Sequence, residues 1–333
     1  MSKRKPNSSK KPAAAPIAPA GKKRLFYMLF GLLFFSVLAY LIVAKGKSGA
    51  SAALQMGAAD YCKTGPAFAS QFGLQLPVAI DLRQQRDRGL SIMEGRQGGK
   101  TLHLPEWEQA GYLGPHAIDR KGNIYVAPAP NINLEYNPPE EQNKVYIVGS
   151  QTGKMEKYLD LPWVSPPTAN NPFGVVGLTY DCETESLYAA SIAGSGFKEE
   201  VGRIYRIDLE TKAVADQLEG VDAIGIGVFN HPGGKRLYFG SAREPEVFSI
   251  ALDKKGNFKG DKRFEFSLAA QKGGSFDKGH RIQFLGEKQM VVKAIEFSYS
   301  LIAASNPKRN IYTLNFDPAT DKWTLLDVQE SAF

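Results

Sequence analysis

Cysteine and histidine are scarce in this 333-residue chain, with two of the first and four of the second. No Cys-x-x-Cys pair and no Cys/His cluster at metal-ligand spacing occurs, which excludes a finger- or ribbon-type zinc site. No Gly-x-Ser-x-Gly elbow marks an activated serine. Gly194-Ser195-Gly196 and Gly233-Gly234-Lys235 do not stand between a strand and a helix start, where aligned amides would meet a phosphate. They read as loops. Beyond residue 60 no stretch keeps an apolar period of 3.6, so the sequence offers no amphipathic helix.

Acidic residues are missing from the first 24 positions, which hold eight lysines and arginines. That leader accounts for the formal charge of +7, and the rest of the chain is close to neutral. The basic balance therefore gives no argument for a nucleic-acid partner. One long uncharged run exists, Leu25–Ala44. At 1.5 Å per residue its twenty residues make a helix of roughly 30 Å, the thickness of a bilayer core. Lysines and arginines concentrate before it, which places the N-terminus in the cytoplasm and the remainder in the periplasm or outside the cell. A cleaved signal peptide is the competing reading, since Ala50-Ser51-Ala52 resembles a cleavage site. The uncleaved signal-anchor fits better, because the run is longer than a signal-peptide core. The expected organisation is a disordered basic tail (1–24), a transmembrane helix (25–44), a flexible stalk (45–60) and one exported domain (61–333). In an oxidising compartment Cys62 and Cys182 could pair, and two free, buried thiols remain the other option.

What the domain does contain is a repeat. PHAIDRKGNIYVAPAP (115–130) with NKVYIVGSQTGKMEKYLDL (143–161) is one unit. PFGVVGLTYDCETESLYAAS (172–191) with GRIYRIDLETKAV (202–214) is the next, and two more begin near residues 223 and 280. An eroded copy spans 77–104. Each reads as strand, turn, strand around an aromatic or aliphatic residue (Tyr125, Tyr188, Tyr238, Val291), insertion, strand, polar turn, strand. Four-stranded meanders recurring every 50–59 residues or so predict the blades of an all-β propeller, five or six in number, with residues 60–76 as a closing strand. One such sheet cannot bury both faces alone, and radial stacking buries them. The recurring aromatics are thus expected to be packing between blades.

The pattern PHAID-RKGNIYVA followed by NKVYIV and a TGK turn resembles the NHL repeat. It is also similar to the gluconolactonase and strictosidine synthase-like propellers. That resemblance implies a divalent cation held in the central channel by residues near the start of the innermost strands. Aligning the copies places His116, Asn171, Asp222 and His280 there, with Arg281 adjacent. Asn171 and Asp222 offer oxygen donors suited to Ca²⁺, and the two imidazoles suit a transition metal. Two functions follow as expectations. One is a membrane-anchored module of the cell envelope that binds a protein or small ligand, or serves as a scaffold. The alternative is a metal-dependent lactonase or esterase-like hydrolase at the channel mouth.

Overall fold

The structure, a computed structural model, describes residues 55–82, 88–130, 134–270, 274–301 and 309–331. The basic tail, the run Leu25–Ala44 and residues 45–54 lie outside the described residues. Among those described, no helix is long and apolar enough to cross a membrane.

Five antiparallel sheets follow one another along the chain as the blades of a propeller. The first has three strands, β2 (Val78–Asp81), β3 (Ser91–Glu94) and β4 (Thr101–Leu102). The second holds β5 (Leu113–Ile118), β6 (Ile124–Pro128), β7 (Lys144–Val148) and β8 (Met155–Asp160). The third holds β9 (Val175–Asp181), β10 (Ser186–Ser191), β11 (Arg203–Asp208) and β12 (Ala213–Glu219). The fourth holds β13 (Ala223–His231), β14 (Gly234–Ser241), β15 (Glu246–Leu252) and β16 (Phe258–Ser267). The fifth holds β17 (Asp277–Leu285), β18 (Gln289–Glu296), β19 (Arg309–Asp317) and β20 (Lys322–Ser331). Five blades, not six, are built.

The period-2 pattern of the sequence translates directly into burial. On β19 every second residue, Asn310, Tyr312, Leu314 and Phe316, faces inward. The turns are equally local in origin. DRKGN at Asp119–Asn123 and DKKGN at Asp253–Asn257 share one hydrogen-bond pattern. Each leading aspartate accepts the amides two and four residues on, and Gly122 and Gly256 take φ of 80° and 86°.

Separate core clusters join blades one to two, two to three, three to four and four to five. The recurring aromatics sit in them. Tyr125, Tyr188, Tyr238 and Tyr312 are almost wholly buried. The Tyr188 hydroxyl donates to the Gly256 carbonyl at 2.6 Å and that of Tyr312 to Asp277 at 2.5 Å. Among the described residues no such cluster joins the fifth blade to the first.

The segment before the first blade performs a task that the sequence did not announce. Residues 60–76 add no closing strand, and residues 57–60 are not stalk. Instead β1 (Gly57–Ala58) pairs with the inner edge of β13, opposite Phe229 and Asn230. Ala59 then bonds to Val228 and Cys182, Cys62 is disulfide-bonded to Cys182, and Thr64 bonds to Asp119 and Arg120. Gly57 abuts the β17–β18 turn at Gly286, and Gly65 abuts Gly122. This strap therefore runs across the same end of four inner strands. Beyond it, a short helix α1 (Phe68–Gln71) buries Phe68 beside Trp107, and the chain enters blade one.

Candidate functional site

The innermost strands β5, β9, β13 and β17 surround a central cavity of about 590 Å³. Pockets of 300–1,000 Å³ or so suit organic ligands. Among the described residues the first blade contributes none to the lining. One end is crossed by the strap, whose Asp60 and Lys63 reach the lining. Leu178, Ile226, Ile282 and Phe284 provide apolar wall, and Phe173 and Phe297 meet at 5.5 Å between ring centroids.

All four inner strands carry a bulge near their start. The pairing register slips between Leu113 and His116, at Val175/Gly177, between Ala223 and Gly225, and between Gly279 and Arg281. A bulge re-aims the side chains around it. In β17 the extra residue is His280 itself, while in β9 and β13 it is Val176 and Ile224. Counting back from the residues paired with Tyr125, Tyr188, Tyr238 and Val291, His116 aligns with Leu178, Ile226 and Ile282. It stands one pleat further along its strand than His280 does.

Of the five residues singled out from the sequence, His116, His280 and Arg281 line the cavity. None of the three has a hydrogen bond or ion pair among the described residues. Both imidazoles keep some surface open to the cavity, but protein encloses that space. Burial, and then the charge of Arg281, lowers each pKa from 6.5 to about 4. Both rings are neutral at pH 7. Arg281 is wetted by the cavity and crowded by protein at once. Burial followed by the Arg309 charge pulls its pKa below the usual value.

Asn171 and Asp222 do not join them. Asn171 donates to the carbonyls of Ile192 and Ser195 at 2.8 and 2.7 Å and accepts the Phe173 amide. Asp222 is buried and accepts from Ser195 Oγ at 2.5 Å, Gly202 N at 3.1 Å, Tyr299 Oη at 2.5 Å and Arg243 Nη1 at 3.2 Å. Arg243 in turn holds the carbonyls of Gly196, Phe197 and Glu199. These two residues latch the loops beside the cavity, and all four acceptor positions of Asp222 are filled.

A bound cation is a poor fit to this arrangement. Among the described residues no three His, Cys, Asp or Glu side chains come together. The charge that acts most strongly on both imidazoles is that of Arg281, which repels a cation. Asp60 is already engaged by Lys63 at 2.5 Å. The sequence reading did not identify Lys63, Gln283 or Phe284 as lining residues. Gln283 and Phe284 continue the strand begun by His280 and could have been found from it. Lys63 could not, because nothing local reveals that the strap crosses the channel.

No family model matches this sequence, and no curated protein does. Solved structures resemble it in outline only. A Lactobacillus plantarum protein matches at 12% identity and TM-score 0.41, over 75% of this chain and 65% of its own. A hypothetical selenium-binding protein from Sulfolobus tokodaii matches at 10% identity and TM-score 0.42, over 73% and 74%. Kluyveromyces lactis Hsv2 matches at 12% and 0.39, over 77% and 72%. This chain spans less than two thirds of the first of these. Likeness at this level carries no argument about function.

Proposed function

We propose that this chain is a small-ligand-binding propeller of the cell envelope, held at a membrane by Leu25–Ala44 with its C-terminal domain on the exported side. The observation that carries the binding reading is the cavity: three polar side chains without a partner among the described residues converge on a largely apolar space that the strap crosses at one end. His116 and His280 are partly covered and Arg281 is exposed to the cavity, so their donors are available to a guest. The tether rests on the sequence alone, through the length of the run and the asymmetry of flanking charge. The hydrolase reading has less support, because among the described residues the donors for a catalytic metal do not assemble. Neutral imidazoles with pKa near 4 are also weak bases at neutral pH.

Native mass spectrometry of the full-length protein released from its own membranes tests the reading. A co-purifying small molecule is expected. Gln283→Trp, which places a large ring on an exposed position of the cavity wall, should eliminate it. A bare protein mass from several extractions, or a bound mass that ignores Gln283→Trp, would count against a cavity ligand.

A further inference from the structure

Building on the cavity as a ligand site, we propose that its occupant is an organic anion, a carboxylate head on an apolar body, with the head at Arg281 and the body among Leu178, Ile226, Ile282 and Phe284.

The argument starts from charge. Arg281 lines the cavity without an ion pair or hydrogen bond among the described residues. A guanidinium cannot shed its proton to escape this situation. Its planar fork matches a carboxylate, and charge-assisted pairs of this kind are roughly twice as strong as neutral hydrogen bonds. Other charged groups face the same space. Asp60 and Lys63 neutralise each other. Glu296 and Arg309, on the strands beyond β17, both reach the lining, and Arg309 has an interaction of its own. Counted together, the five charged residues of the described lining, Asp60, Lys63, Arg281, Glu296 and Arg309, leave one net positive charge.

The imidazoles fit the same guest. Both lie close enough to Arg281 for its charge to act on them, so the three groups share one region. A neutral imidazole still carries one N–H, and each can donate it to an anion. A cation would meet repulsion. A neutral apolar guest would gain the walls but would leave Arg281 without its water and without a partner. An apolar body explains the rest of the lining, where the aliphatic side chains and the Phe173–Phe297 pair offer little to a free inorganic ion.

The test is a calorimetric titration of the purified full-length protein with 4-phenylbutyrate and with its uncharged amide, each against a matched blank. The acid is expected to bind about ten- to a hundredfold more tightly, the worth of a charged hydrogen bond. Arg281→Met should reduce the acid to the affinity of the amide, and Arg281→Lys should restore part of the preference. Arg281 has no partner to lose, so the melting temperature should not move. Equal affinity for acid and amide, or a preference that survives Arg281→Met, overturns the anion. If the amide binding is then lost in Gln283→Trp, the cavity reading stands without it. Failure of both probes to bind overturns both.

Discussion

Asp222 illustrates how a buried carboxylate earns its place by the loops it holds. Four donors from three loops converge on it, and removing it leaves Ser195, Tyr299 and Arg243 without their acceptor. We expect Asp222→Ala to cost roughly 2–4 kcal/mol in chemical denaturation, the range for breaking a buried charged network. The two cavity histidines act in the opposite sense, through protons that they refuse. Their pKa is about 4 when folded against an ordinary 6.5, so the unfolded chain binds more protons in between. Their contribution is complete above about pH 6.5, falls as pH drops and is gone below about 4. Glu94, held at about 2 by the Gln75 amide and by Arg96, acts only below its ordinary 4.5. Urea midpoints between pH 7.5 and 5 therefore report the two cavity histidines together with His231, whose pKa burial also lowers, and His116→Gln with His280→Gln should reduce that slope. The partial legibility of the site has a physical cause. His116, His280 and Arg281 lie on strands whose pattern is local. Asn171 and Asp222 find partners as many as 77 residues away, and no spacing rule reaches that far.

At the scale of elements, blades two to five were readable because each carries its own alternation and its own turn chemistry, as in the DRKGN and DKKGN turns. The strap was not. Its residues, MGAADYCKTGP from Met56 to Pro66, have no period, and their role comes wholly from what they cross. Small residues suit that role. A Cβ on Gly57 would lie 2.8 Å from the Gly286 carbonyl, and one on Gly122 would lie 2.7 Å from that of Gly65. The Cys62–Cys182 bond spans 120 residues and joins the strap to the end of β9. In the chain-entropy view a loop of that size stabilises by about 4–5 kcal/mol. Cys62→Ser with Cys182→Ser should lose most of this in denaturant melts. The wild type under reducing conditions should approach the double variant.

On the scale of the whole molecule, the usual device of closure is absent among the described residues, since no described blade combines strands from the two ends of the chain. The described hydrophobic clusters between blades run from one to five, and none of them joins five to one. Continuity across that gap comes from the strap, which touches the turn of blade five at Gly286, the inner strand of blade four, Cys182 of blade three and Asp119 of blade two before entering blade one. Closure is thus transferred from a shared strand to a segment lying under the ends of the inner strands. Two truncations separate this role from that of the leader. Removing residues 1–54 keeps every bond described for the strap, so the domain should keep its far-ultraviolet spectrum and melting temperature. Removing residues 1–66 deletes β1, the disulfide and the Thr64 contacts together, and cooperative melting should be lost or shifted down by more than ten degrees or so, given that a kcal/mol moves a domain of this size by about 2–4 °C. The first truncation also tests the tether. Expressed in the same cells, the full chain should sediment with membranes and resist extraction by salt, while the chain lacking 1–54 should stay in the supernatant. An identical distribution of the two would remove Leu25–Ala44 as the anchor and leave the propeller unaffected.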